Sequence, residues 1–157
     1  LSPTSGSVSY DPLGDDVMRV RSQLGWLSHE SLSYGDLSGR ANIELAARMH
    51  GLEHNEAYER VKDRFELGRF AERPLRTNSR GQRQRIALGR ALVHEPSLVL
   101  LDEPTTGLDG AGVAQLMDVI DQELGREVVM AVVSHEPARF GARATRRVVL
   151  ERGRVAA

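Results

Sequence analysis

The sequence predicts an α/β fold built on a mostly parallel sheet. Leu98 to Leu101 and Val128 to Val133 are continuous apolar runs, the pattern of strands covered on both faces. Between them, Val113, Leu116, Met117, Ile120 and Leu124 fall at helical spacing, so a helix joins the two strands. Asp102-Glu103 and Ser134-His135 follow directly on the runs, and sheets of this kind collect functional groups at the carboxyl ends of their strands.

The other elements follow in chain order. Residues 1–6 are a turn cluster of Ser, Pro, Thr and Gly, and Val8 and Tyr10, alternating with serines, predict a short strand before Asp11-Pro12. Asp15 to Arg21 predicts a short helix, and Leu24 to Leu27 a short apolar strand. After a polar stretch, Ser38 suits the N-cap of a helix over Arg40 to His50 that Gly51 stops. Ala57, Val61 and Phe65 mark a second helix from Glu53 to Leu67. A charged connection containing Pro74 leads to Ser79, which caps a helix running to about His94. Beyond His135, Pro137 occupies the favoured first position of a short helix. Arg147 to Glu151 and Arg154 to Ala156 read as a hairpin turning near Gly153.

Bulk properties narrow the function classes. At 157 residues the chain is in the range of one domain. It has no cysteine, which excludes disulfides, thiolate nucleophiles and zinc–sulfur sites. The net charge of -1 demands no polyanionic partner, and no apolar run approaches the ~18 residues of a membrane span. Lys62 is the sole lysine.

Two motifs carry chemistry. In Leu98 through Asp109 an apolar strand delivers Asp102 to its tip, where a carboxylate can hold Mg²⁺ directly or through water. Glu103 beside it can polarise an attacking water as a general base. In Ser79-Arg80-Gly81-Gln82 a hydroxyl and free N–H groups stand at a helix start, with the positive end of the dipole behind them. That is a seat for a terminal phosphate, although most Ser-x-Gly helix starts are only caps.

In this order, with Asp109 and His135 following, the motifs resemble those of ABC ATPases. Ser79 to Gln82 is similar to the ABC signature, Leu98 to Asp102 to the Walker B strand, and Gly107-Leu108-Asp109 to the D-loop. The resemblance implies a P-loop NTPase-like fold over residues 1–157, with a helical subdomain at about 37–92. It implies Glu103 as catalytic glutamate and His135 as switch histidine. It also implies ATP and Mg²⁺, the nucleotide being held head-to-tail between two copies. Ser79, Arg80, Gly81 and Gln82 then serve ATP held by the neighbour, Asp102, Glu103 and His135 serve their own chain's ATP, and Asp109 lies at the seam. A transmembrane permease contacting residues 28–75 is the implied partner, with the subunit on the cytoplasmic face of the cell membrane.

The chain departs from that pattern in three places. Gly-x-x-x-x-Gly-Lys-Ser/Thr is not found, because Lys62 lies between Val61 and Asp63. Leu1 to Gly6 resembles the segment that follows the P-loop helix, so the expectation is an N-terminally incomplete domain, inactive alone and of low stability. His29 stands where the family often has the Q-loop glutamine, a position from which it can contact a metal-bound water or report to the membrane partner. Asn78 and Arg80 replace the usual Leu and Gly of the signature. His29, Tyr34 to Ser38 and Asn42 are similar to haem-exporter and ABC-2-type export ATPases.

Three rivals compete. His50-Gly51-Leu52-Glu53-His54 matches an inverted zincin motif, but Gly51 breaks the helix that motif needs, leaving two solvated histidines at a turn. Arg76, Arg80, Arg83, Arg85 and Arg90 could suggest a repair- or translation-type ABC protein on nucleic acid. Without interleaved aromatics they read instead as a solvated helix face, and no nucleic-acid partner is expected. A non-catalytic remnant is the third, against which Glu103 and His135 both speak.

Overall fold

Asp16 accepts hydrogen bonds from the N–H groups of Met18 and Arg19 and so opens helix α1, Val17–Ser22, in the computed structural model, which describes residues 3–10, 13–28 and 32–156. Strand β1, Leu24–Leu27, follows directly. Helices α2, Gly39–Met49, and α3, His54–Arg64, are capped by Ser38 and Glu53, and Gly51 turns between them at φ +72°. Two short 3₁₀ turns lead to α4, Arg80–Leu92. Then come β2, Leu98–Asp102, α5, Gly110–Gly125, and β3, Val129–Val133. A 3₁₀ turn at Pro137–Arg139 precedes the hairpin of β4, Leu150–Glu151, and β5, Arg154–Val155.

The sheet is parallel, in the order β1-β2-β3, with Leu24 beside Leu98 and Leu98 beside Val129. Alternation sends Leu27, Val99 and Leu101 to one buried face, joined by the partly buried Met130 and Val132. The opposite face is open among the described residues: Trp26, Val129 and Val133 are 50%, 54% and 61% exposed. Covering on both faces, as the continuous apolar runs suggested, is therefore found on one side only. The short strand predicted at Val8 and Tyr10 is absent; both side chains are exposed, and no described strand lies alongside to complete a ladder.

Helices α2, α3 and α4 close around Ile43, Ala47, Val61, Phe65 and Ile86. Gly89 permits close approach of α4 to α3, since a Cβ there would lie 2.5 Å from Val61 Cγ1. Buried Asn42 holds the preceding loop, accepting from the Tyr34 N–H at 2.7 Å and donating to the Tyr34 and Ser38 carbonyls. His50 is not the solvated residue the sequence suggested. Its ring stacks on His94, with centroids 3.7 Å apart, and burial pushes the His94 imidazole down to about 4.

One charge cluster ties α3 to α5. Glu123 is fully buried, 2.5 Å from an Arg64 guanidinium nitrogen and 2.9 Å from one of Arg126. Arg64 also donates to Gln122 Oε1 and to the Val119 carbonyl. Removing one partner of such a group leaves a buried charge undercompensated. Arg64→Ala is therefore expected to lower stability by about 3 kcal/mol, read as a lower urea midpoint. An unchanged midpoint would show that Arg126 alone suffices.

Candidate functional site

At the end of β2 the backbone leaves the strand abruptly. Glu103 takes φ +50°, a left-handed conformation that costs a non-glycine residue on the order of 1 kcal/mol. Its N–H donates to the Val133 carbonyl at 2.9 Å, holding the turn against the end of β3. The turn then closes through Thr106 N–H to the Glu103 carbonyl and Leu108 N–H to the Thr105 carbonyl. Asp109 ends it by capping α5, its carboxylate accepting from the Gly112 N–H at 2.8 Å.

This turn aims two carboxylates into a cleft of about 250 Å³ lined also by Ser28, Arg80, Arg83, Gln84 and Thr106. Glu103 Oε1 accepts from the backbone N–H of His135 at 2.8 Å, and its Oε2 is unengaged among the described residues. His135 Nε2 lies 3.6 Å from the same Oε1, with the ring 96% exposed to whatever occupies the space above. Asp102 is half-buried, and its carboxylate likewise has no partner among the described residues. A half-buried carboxylate without a protein partner at a strand tip has the hard oxygen chemistry that fits Mg²⁺.

Helix α4 begins with a complete capping box: Ser79 Oγ accepts from the Gln82 N–H, and Gln82 Oε1 accepts from the Ser79 N–H. The box satisfies the helix start while leaving the Arg80 and Gly81 N–H groups without an acceptor among the described residues. The Ser79 hydroxyl proton also remains to be donated, so the helix start retains several donors toward an anion.

The sequence-derived residues thus fall into three places. Asp102, Glu103 and Arg80 share the cleft, with His135 beside Glu103. Ser79, Gly81 and Gln82 form the adjoining helix start, and Asp109 closes the turn. His29 lies outside the described residues. Arg83 and Gln84 were missed: with Arg80 and Ala87 they occupy one face of α4 at i, i+3, i+4 and i+7, a spacing visible in the sequence. The arginine-rich segment is therefore not one uniform solvated face, because Arg80 and Arg83 line the cleft while Arg85 pairs with Glu66 and Arg76 with Asp36.

Residues 1–106 match a family model described as ABC transporter. The daunorubicin resistance ATP-binding protein DrrA3 of Streptomyces coeruleorubidus is 33% identical over 164 residues, covering 100% of this chain and 51% of that protein. The cytochrome c biogenesis ATP-binding export protein CcmA 2 of Cupriavidus metallidurans is 38% identical over 115 residues, covering 73% and 54%. The chain spans about half the length of these curated relatives. Among solved structures, a dimeric ATP-binding cassette in a post-hydrolysis state, bound to ADP and Pi, aligns with a TM-score of 0.78. It is 26% identical, over 88% of this chain and 66% of that one.

Proposed function

The chain belongs to the ABC transporter family, and from that membership we propose that it forms the water-activating and signature half of a transport ATPase site. One observation carries the reading. Glu103 is held at a strained strand end by Val133 and His135, with a free carboxylate oxygen facing the cleft. A carboxylate so fixed can accept the proton of a water attacking a terminal phosphate, and His135 stands beside it to orient that phosphate. Asp102 would hold Mg²⁺, whose contribution when bound is to neutralise charge on the phosphate oxygens.

The donors at Ser79, Arg80 and Gly81 would grip nucleotide carried by a second copy, with Asp109 at the seam between the two. Residues 28–75, which include much of the helical subdomain at about 37–92, would meet a transmembrane permease. No described helix is itself long and apolar enough to cross a membrane. The relatives named for drug resistance and for export favour outward transport here too. A nucleic-acid-bound ABC protein is the lesser reading, for the net charge is -1 and the cleft mixes Arg80 and Arg83 with two carboxylates.

The test is phosphate release from ATP by the complete protein, expected to stop when EDTA removes Mg²⁺. Because no Gly-x-x-x-x-Gly-Lys-Ser/Thr occurs in these 157 residues, the isolated chain is expected to bind Mg-ATP only weakly. Micromolar affinity by calorimetry for the chain alone would contradict this, and chelator-insensitive hydrolysis would contradict the role of Asp102.

A further inference from the structure

A hollow of about 300 Å³ opens between α3, the end of α4 and the end of α5. Glu95 and Arg126, which line it, stand just ahead of β2 and β3, whereas Asp102 and Glu103 stand at the far end of β2. No residue lining it lines the cleft of Glu103. Leu92 and Val93, both almost fully buried, form its floor. Arginines occupy its rim: Arg60 and Arg64 from one face of α3, Arg126 from just beyond α5.

The three guanidinium groups are unequally engaged. Arg64 and Arg126 hold the buried Glu123 at 2.5 and 2.9 Å. Arg60 has one ion pair among the described residues, and its Nε stands 3.6 Å from Glu95 Oε1, beyond hydrogen-bond distance. On the other side, Arg126 Nη2 stands 3.7 Å from Glu95 Oε2. The Glu95 carboxylate thus spans two arginines, one oxygen toward each, and bonds to neither. The gap is too wide for it.

The backbone gives no reason for glutamate at this position. Glu95 takes φ +52°, a conformation that favours glycine or asparagine. What the residue supplies is a negative charge where an anion fits. A phosphate monoester fits better, with about two negative charges and three peripheral oxygens to bond both guanidinium groups. The Glu95 side chain is 56% exposed and free to swing outward. Its backbone stays in place, because its N–H donates to the Leu92 carbonyl and Arg126 donates to its own carbonyl at 3.3 Å.

We propose that this hollow binds a small phosphate monoester with a compact apolar body. Arg60 and Arg126 hold the phosphate once the Glu95 side chain is displaced, and Leu92 and Val93 seat the apolar part. The ligand bridges α3 and the end of α5, the two elements that Glu123 already ties.

The experiment titrates phenyl phosphate by calorimetry into the complete protein, its nucleotide sites first filled with Mg-ADP. One further site per chain is expected, weakening as salt rises. Inorganic phosphate, which lacks the apolar body, is expected to bind about tenfold less tightly. Arg60→Gln is expected to weaken phenyl phosphate by about tenfold. Glu95→Asn removes the competing charge and suits the left-handed turn, and is expected to tighten binding by about threefold. These opposite signs separate the site from a general loss of folding. Absence of the site, an affinity unmoved by Arg60→Gln, weaker binding in Glu95→Asn, or inorganic phosphate binding as tightly as phenyl phosphate overturns the proposal.

Discussion

Glu103→Gln is expected to lower kcat in the complete protein by about 10²–10⁴-fold, the usual worth of a general base. Affinity for Mg-ATP should stay within about twofold, because in the proposed role the group acts on water and not on the bound nucleotide. The substitution isolates the chemistry well. Glutamine keeps the carbonyl oxygen that accepts from the His135 N–H at 2.8 Å, and the turn is held independently by the Glu103 N–H on Val133. Only the oxygen able to take a proton is lost. Steady-state rates that barely change would remove Glu103 from the role of base.

His135→Ala is expected to slow hydrolysis by on the order of 10²-fold, the cost of misplacing a reacting group. Alanine retains the backbone N–H that holds Glu103, so the effect reports on the ring alone. The ring is 96% exposed and makes no core contact, so thermal stability should not move. Normal activity would show that the ring does not orient the phosphate. A loss of stability equal to the loss of rate would instead point to a structural role.

Much of this site was legible before any coordinates. The run from Leu98 to Leu101 reads as a strand, which put Asp102 and Glu103 at its carboxyl end. Ser79 was readable as the cap of α4, but the reciprocal bond from the Ser79 N–H to Gln82 that completes the box came from the structure. Asp109 was legible as a residue of the motif, but its work as the cap of α5 was not.

What stayed hidden depends on partners distant in sequence. Val8 and Tyr10 alternate like a strand, yet a strand needs a neighbour for its hydrogen bonds, and no local pattern reveals one. His50 looked solvated because nothing near it in sequence announces His94, which α4 brings to its ring. The apolar runs predicted a sheet covered on both sides, but periodicity carries no information about which face a neighbouring element reaches. The open face at Trp26, Val129 and Val133 had to be seen.

The proposed division of labour between two chains admits a direct measurement. Glu103→Gln disables the carboxylate, while Ser79→Asp preserves a good helix cap and sets a negative charge against the phosphate. Each variant alone should be nearly inactive. Mixed in equal amounts, they form dimers in which one nucleotide sits between an intact Glu103 and an intact Ser79 contributed by different copies, and activity should return. A mixture as inactive as its parents would mean that both groups act on the same chain's nucleotide, and would contradict the shared site.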